Sequence, residues 1–223
     1  MTFSLRFALL LAFSLTLAVW SALWTLADFY SLPWQWAKEK STKKAIPQFR
    51  LKETRDLMAK AHELNPNQVD YLLELAQGTY QLANEEVRHS EGEKALLQEA
   101  LRYYERAASL RPSWATTWIN LAGVRLRLDP EQLPEALKDL ERAITLDPWS
   151  PTIQMRAVSL GFVVWPYASS TLRERLISNA VKALNVDAKR VIQLAMEKGL
   201  IGELEPLLTP EARTILEKMR GQP

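Results

Sequence analysis

The sequence predicts an all-α chain: an N-terminal transmembrane helix, a short α-solenoid of helical hairpins, and a C-terminal helical cap. Three observations predict it. Residues 7–27, FALLLAFSLTLAVWSALWTLA, carry no charge over twenty-one positions. The ending A-x-x-L-x-P occurs at Ala61–Pro66, Ala107–Pro112 and Ala143–Pro148. Only 7 residues are glycine, while alanine, leucine, glutamate and arginine abound; that composition favours helix.

The span comes first, after a tail at 1–6. A helix over 7–27 rises about 31 Å at ~1.5 Å per residue, close to the thickness of a bilayer's hydrocarbon core. Such a helix satisfies its own backbone hydrogen bonds in lipid. A cleaved secretory signal is the rival reading, with Arg6 as its positive flank. Its apolar core is long for a signal, Trp20 and Trp24 are bulky, and Thr25-Leu26-Ala27 is a mediocre cleavage site. The chain has no cysteine, so no lipid-modified cysteine anchors it and no disulfide forms. A retained anchor is expected.

Residues 28–47 read as an interfacial aromatic and basic linker, with Phe29, Tyr30, Trp34 and Trp36 placed for the headgroup level. The same rings could pack on the soluble domain instead. Lys38, Lys40, Lys43 and Lys44 outnumber Arg6, and by charge count they draw the C-terminal domain to the cytoplasm. A tail with one arginine is also the layout of a bacterial signal-anchor with an exported domain. The expectation is a single-pass bacterial inner-membrane protein with a periplasmic domain. Net charge is +2, so no nucleic-acid-binding field is implied.

The repeats occupy 48–165. Tyr104 and Leu140 precede the motif alanine by three residues, and Ala100 and Ala136 by seven. These spacings share one helical face. The proline stops each helix. Six, nine and ten residues past Pro66 lie Leu72, Leu75 and Ala76, and past Pro112 lie Trp118, Leu121 and Ala122. The pattern resembles the tetratricopeptide repeat (TPR) family. Past Pro148 the same offsets fall on Gln154, Ala157 and Val158, a degraded match. Two full repeats are expected, preceded by a lone helix at 48–64 and followed by a degenerate helix at 151–165. The proline spacings are 46 and 36 residues. The first excess reads as an insertion at 84–94, the second as a loop in which Asp129 caps and Pro130 opens a helix. The cap at 166–223 reads as three helices. Thr171-Leu-Arg-Glu174 is a capping-box pattern, Asp187 starts the second helix, and Thr209-Pro210 starts the third, which stops at Gly221.

No catalytic constellation is visible. His62 and His89 have no partner at zinc-ligand spacing, and no nucleophile elbow or phosphate loop occurs. The acids of the insertion, Glu85, Glu86, Glu91 and Glu93, match no EF-hand and read as a solvated loop. No cofactor, metal or enzymatic activity is expected.

The TPR resemblance implies a concave groove for an extended peptide or partner helix. Its inward positions are Asp70, Leu73, Gln77 and Tyr80; then Thr116, Ile119, Asn120, Gly123 and Arg127; then Thr152 and Arg156. Leu73, Ile119 and Tyr80 read equally well as core between repeats. Some family members clamp a peptide carboxylate. Asn120 and Arg156 fall on clamp positions, but Leu73, Gln77 and Thr152 replace the rest, so that ligand is not expected. A second candidate surface is the uncharged run Ala157–Tyr167, which reads more simply as buried. By layout the chain is similar to small TPR proteins of bacterial envelope assembly, including VpsP-like proteins of exopolysaccharide biosynthesis. The expected function is a membrane-anchored scaffold for a protein partner. The alternative is an accessory subunit of a membrane enzyme complex, held through its transmembrane helix to the other subunits.

Overall fold

A computed structural model describes residues 2–41 and 48–221. Lys43, Lys44 and the end of the expected linker lie outside the described residues, as do the side chains of Lys38 and Lys40. All regular structure in the described residues is helical, and the chain divides into two compact units, Met1–Leu110 and Arg111–Pro223.

Unit 1 holds α1 (Thr2–Ser41), α2 (Gln48–Leu64), α3 (Val69–Glu85) and α4 (Glu91–Leu110). Along α1 every residue from Leu5 to Leu26 is exposed. The hydroxyls in that stretch are satisfied within the helix: Thr16 donates to the Ala12 carbonyl at 2.7 Å and Thr25 to the Ser21 carbonyl at 2.9 Å. At Ala27 the surroundings change. Residues 28–41, expected as linker, continue the helix without a break. Ala27, Ser31 and Trp34 are buried and Tyr30 is half-buried, a spacing that fills one helical face. That face packs on Leu51, Met58 and Ala61 of α2 and on Tyr71, Leu75 and Leu82 of α3. Helix α2, expected to stand alone, therefore pairs with the end of α1. The alternative reading of the rings holds for Trp34 and Tyr30, whereas Phe29 and Trp36 point to solvent.

The α1 junction is close and polar. A Cβ on Gly78 would stand 2.8 Å from Trp34 Cη2, so only glycine admits the indole there. The Trp34 ring nitrogen donates to Glu74, and the Tyr71 hydroxyl donates to Asp28. Burial, and then Asp28, push the Tyr71 phenol above its ordinary range. Deeper in the unit, Arg55 bridges Glu99 of α4 and Thr79 of α3, while Tyr103 donates to Glu99 at 3.1 Å.

The expected insertion at 84–94 is mostly helical: α3 runs to Glu85 and α4 begins at Glu91. Glu85, Glu86 and Glu91 are exposed as expected, but Glu93 is buried. Ser90 Oγ accepts the Glu93 N–H at 3.1 Å, and the Glu93 carboxylate accepts the N–H of His89. This reciprocal arrangement satisfies free donors at the start of α4 and explains why one acid of the four leaves solvent.

Unit 2 holds α5 (Ala115–Leu128), α6 (Leu133–Leu146), α7 (Pro151–Val164), α8 (Ser170–Glu197), α9 (Ile201–Leu204) and α10 (Pro210–Arg220). Asp129 accepts the Glu131 N–H at 2.8 Å and opens a short 3-10 turn, Pro130–Gln132, before α6. No capping box forms at Thr171, because the helix is capped two residues earlier. Ser169 has the extended backbone a cap needs and accepts the Leu172 N–H at 3.2 Å. Asp187 breaks α8 at φ −154° and accepts the Arg190 N–H at 3.0 Å. Thr209 caps α10 as expected, accepting the Ala212 N–H at 3.3 Å, and Gly221 ends it.

The motif residues do what their spacing requires. Ala61, Ala107 and Ala143 are each 0% exposed, and their helices end at Leu64, Leu110 and Leu146, ahead of the proline. The degraded third copy keeps one function of the second. Trp118 Nε1 donates to the Pro112 carbonyl at 2.9 Å, and Gln154 Nε2 donates to the Pro148 carbonyl at 3.1 Å. Two different side chains thus satisfy the same loop carbonyl.

Helix α7, expected as a terminal degenerate helix, pairs with the first half of α8. Gly161 permits the close crossing, because a Cβ there would collide with Leu176. Val158 and Phe162 of α7 share a core with Ala180, Val191, Ile192 and Leu204, which Ala212 and Leu216 of α10 cover. Five of the eleven residues in the run 157–167 are buried and three half-buried, leaving Val163, Pro166 and Tyr167 exposed.

Two outcomes test this architecture in detergent. Trp34→Ala is expected to destabilise unit 1 by about 3–5 kcal/mol, the range for deleting a buried aromatic. Trp36→Ala, at an exposed site on the same helix, is expected to shift urea unfolding by less than about 0.5 kcal/mol. The second outcome concerns pH. His62 is half-buried, and its Nδ1 has no hydrogen-bond partner. Burial, and secondarily Arg106, hold its pKa below the ordinary 6.5 despite Glu63. As pH falls through 6.5 the unfolded chain binds the proton first, so this site costs stability on acidification. His62→Leu should flatten the fall in melting temperature between pH 7.5 and pH 5.

Candidate functional site

The eleven residues expected to line a groove divide between the units. On α3 of unit 1, Asp70 is exposed, and Leu73, Gln77 and Tyr80 are half-buried. Leu73 packs against Val69, Leu72 and Ala107, so much of it serves the core. On α5 of unit 2, Thr116, Asn120 and Arg127 are half-buried. Ile119 is 0% exposed and sits among Ala122, Leu140 and Ile153. It is a core residue and leaves the list of docking residues. On α7, Thr152 is exposed and Arg156 half-buried.

Unit 2 brings together the two residues that the clamp resemblance singled out. The Arg156 guanidinium, on α7, donates to the Asn120 side-chain oxygen on α5. Gly123 lies beside the pair: a Cβ there would stand 3.7 Å from Arg156 Nη2 and 3.8 Å from Leu160 Cδ1, ordinary contact distances. The result is a half-buried cation beside an amide, over a glycine and a leucine. A guanidinium in this setting suits a carbonyl or carboxylate.

Sequence reasoning missed the polar groups that fix the helices carrying this site. Arg125 of α5 donates to Asp139 of α6 at 2.9 Å and to Gln132 at 2.9 Å. Asp139 is buried beside it. In unit 1 the Arg55–Glu99–Tyr103 network and the Trp34–Glu74 and Tyr71–Asp28 bonds do the same. Arg125 and Asp139 lie 14 residues apart, Arg55 and Glu99 44 apart, and no local spacing announces such partners.

A shallow cleft of about 570 Å³ lies in unit 2 beside Trp165, Arg173, Ile177, Glu203 and Leu207. Arg173 there is engaged with the chain, donating to the Trp165 and Pro166 carbonyls at 3.1 and 3.2 Å. Among the described residues, no three histidine, aspartate or glutamate side chains converge on a point that would hold a metal ion.

Removing the Asn120–Arg156 contact should cost little. Both side chains are half-buried, so water reaches what is left. Arg156→Ala is expected to shift unfolding by about 1 kcal/mol or less, near the net value of one hydrogen bond, read as the midpoint of urea denaturation.

Neither a family model nor a curated protein matches the sequence. Solved structures do. MamA superposes with a TM-score of 0.50 at 16% identity, over 82% of this chain and 96% of that one. TTC0263, a thermophilic TPR protein of Thermus thermophilus, superposes with a TM-score of 0.55 at 16% identity, over 80% and 87%. At such identity the likeness is one of fold, and it agrees with the hairpins described above: the chain has the α-solenoid fold of a tetratricopeptide-repeat protein, preceded by one long apolar helix.

Proposed function

We propose that this chain is a membrane-anchored scaffold that binds a protein partner and holds it at the bilayer, without chemistry of its own. One observation carries the reading. The apolar stretch of α1 is exposed along its whole length, and the same helix then becomes the buried first member of a hairpin. Twenty-two consecutive exposed residues from Leu5 to Leu26 have no use in water, and they match a bilayer core in length. The setting we favour is a bacterial inner membrane, with the repeat units in the periplasm and a role in envelope or polysaccharide assembly. Support for that setting is the layout of anchor, short array and helical tail.

The docking residues we assign are Asn120 and Arg156 at the centre, with Thr116, Arg127 and Thr152 on the same helices of unit 2. On α3 of unit 1, Asp70, Gln77 and Tyr80 add a second polar surface. The partner is an extended peptide or a helix that offers carbonyl or carboxylate groups. Asn120→Ala with Arg156→Ala should abolish co-purification of the partner after gentle detergent extraction while leaving the melting temperature nearly unchanged. Retention of every co-purifying protein by the double variant would remove the groove from the proposal. For sidedness, alkaline phosphatase fused after Pro223 should be active in cells; an inactive fusion that is made in full places the units in the cytoplasm.

A further inference from the structure

Three tryptophans at one end of unit 2 each carry a cation on the ring. Arg111 lies 4.0 Å over Trp114, Arg142 3.9 Å over Trp118, and Lys182 4.5 Å over Trp149. Hydrogen bonds join them into one edge. The Pro112 carbonyl accepts from Trp118 Nε1 at 2.9 Å and from Arg142 Nη2 at 3.5 Å, which ties the 111–114 loop to the last turns of α6. There Thr145 accepts from Arg175 of α8 at 3.1 Å. Lys182 follows Arg175 by seven residues, two turns along the same face.

The edge is basic as well as aromatic. Two acids lie nearby in sequence. Glu141 is paired with Arg175 at 3.2 Å, and Asp147 accepts the Ser150 N–H at 3.1 Å. Among the described residues, Arg142 and Lys182 make no ion pair. The rings are open to solvent: Trp149 is 73% exposed and Trp114 37%. A loop tryptophan that extends this far with a cation laid on it is not packing a core. It joins an apolar body to a positive charge, the combination found where protein meets lipid headgroups.

We propose that this edge of unit 2 rests on a bilayer surface containing anionic lipid. Trp114 and Trp149 sit at the headgroup level, and Arg111, Arg142 and Lys182 meet lipid phosphates. The inference goes beyond partner binding and rests on the anchored reading, which confines the chain to a bilayer. Charge complementarity selects the occupant. Cations beside exposed rings match a surface that is negative outside and apolar just beneath. A sugar would need bare ring faces, and a cation already covers one face of each ring. A net charge of +2 over the whole chain supplies no long-range field for nucleic acid.

The chain has no cysteine, so one introduced thiol carries a single label. Ser113→Cys places it beside Trp114. Glu131→Cys places it past the other end of the 14-residue helix α5, about 20 Å away at ~1.5 Å per residue. Each full-length variant bears a polarity-sensitive nitrobenzoxadiazole dye and is reconstituted in phosphatidylcholine vesicles with or without phosphatidylglycerol. Phosphatidylglycerol should brighten and blue-shift the dye at position 113 and leave it unchanged at 131. Raising salt to about 1 M, which screens charges beyond ~3 Å, should reverse the change. Each cation at an anionic surface favours contact about fivefold, so Arg142→Gln with Lys182→Gln should lower the ratio of bound to free edge about 25-fold.

An equal response at both positions, the same response without phosphatidylglycerol, or none at 113 overturns the proposal. So does a response that salt leaves intact, or a folded double variant that responds like its parent. The salt measurement uses the unaltered edge and decides even where the double variant fails to fold. A response at 113 to soluble polyglutamate, with none to phosphatidylglycerol, overturns the lipid assignment in favour of an acidic protein. A carbonate wash separates the two readings: protein retained in the vesicles with no response at 113 defeats the edge alone, whereas protein released by the wash defeats the anchor.

Discussion

One continuous helix in two surroundings is the constraint on which the rest depends. Helix α1 leaves an exposed apolar stretch at Leu26 and is buried at Ala27, with no turn or glycine between. A flexible linker would let α2 and α3 drift relative to the span. A helix does not, because each residue adds a fixed rise and rotation. Trp34 against Gly78, its bond to Glu74, and the bond from Tyr71 to Asp28 fasten that helix to α3. Asp28 is the first charge after the apolar stretch, and it stays exposed while accepting the phenol's hydrogen bond. The apolar helix is thereby an element of the fold.

The same economy runs through the hairpins. Motif alanines at zero exposure let paired helices approach, and glycine does the same at Gly78 and Gly161 where a ring or a leucine crosses. Partly buried ion pairs tie helices together: Arg55 to Glu99 in unit 1, Arg125 to Asp139 in unit 2. Such pairs add little net stability, since desolvation offsets their attraction. Breaking one leaves a partly buried charge without its partner, so they penalise any other register of the helices. That is how a chain rich in interchangeable leucine and alanine keeps one arrangement.

Where the fold was legible, a local chemical rule was at work. The A-x-x-L-x-P endings, the cap at Asp129 and the Thr209–Gly221 helix obey rules of neighbouring residues, and the structure follows them. The first and last hairpins were hidden for opposite reasons. The partner of α2 was disguised because its buried face, Ala27 to Trp34, directly follows a span whose hydropathy masks any periodicity. The partner of α7 was disguised because α8 lacks the motif ending and runs on past Asp187. The family resemblance singled out Asn120 and Arg156, which lie on α5 and α7, and the structure joins them. Spacing could not tell that Ile119, one residue from Asn120, is wholly interior, because that depends on how α6 and α7 pack around it.

On the proposed reading, the Asn120–Arg156 pair sets the character of the ligand. Within the chain each side chain answers the other, so neither is left unsatisfied. A ligand group must share or displace that bond, and its net gain is then the small difference between two similar hydrogen bonds. Half-burial strengthens the guanidinium's field without the full desolvation cost of a closed pocket. Contacts of this kind bind weakly and select for shape and for acceptor groups. Weak contacts suffice when the partner is confined to the same surface, since tethering raises local concentration enough to lift occupancy by orders of magnitude. On the proposed reading, a site built from one shared hydrogen bond and an anchor built into the first hairpin are parts of one solution: the membrane would supply the concentration, and the groove the choice.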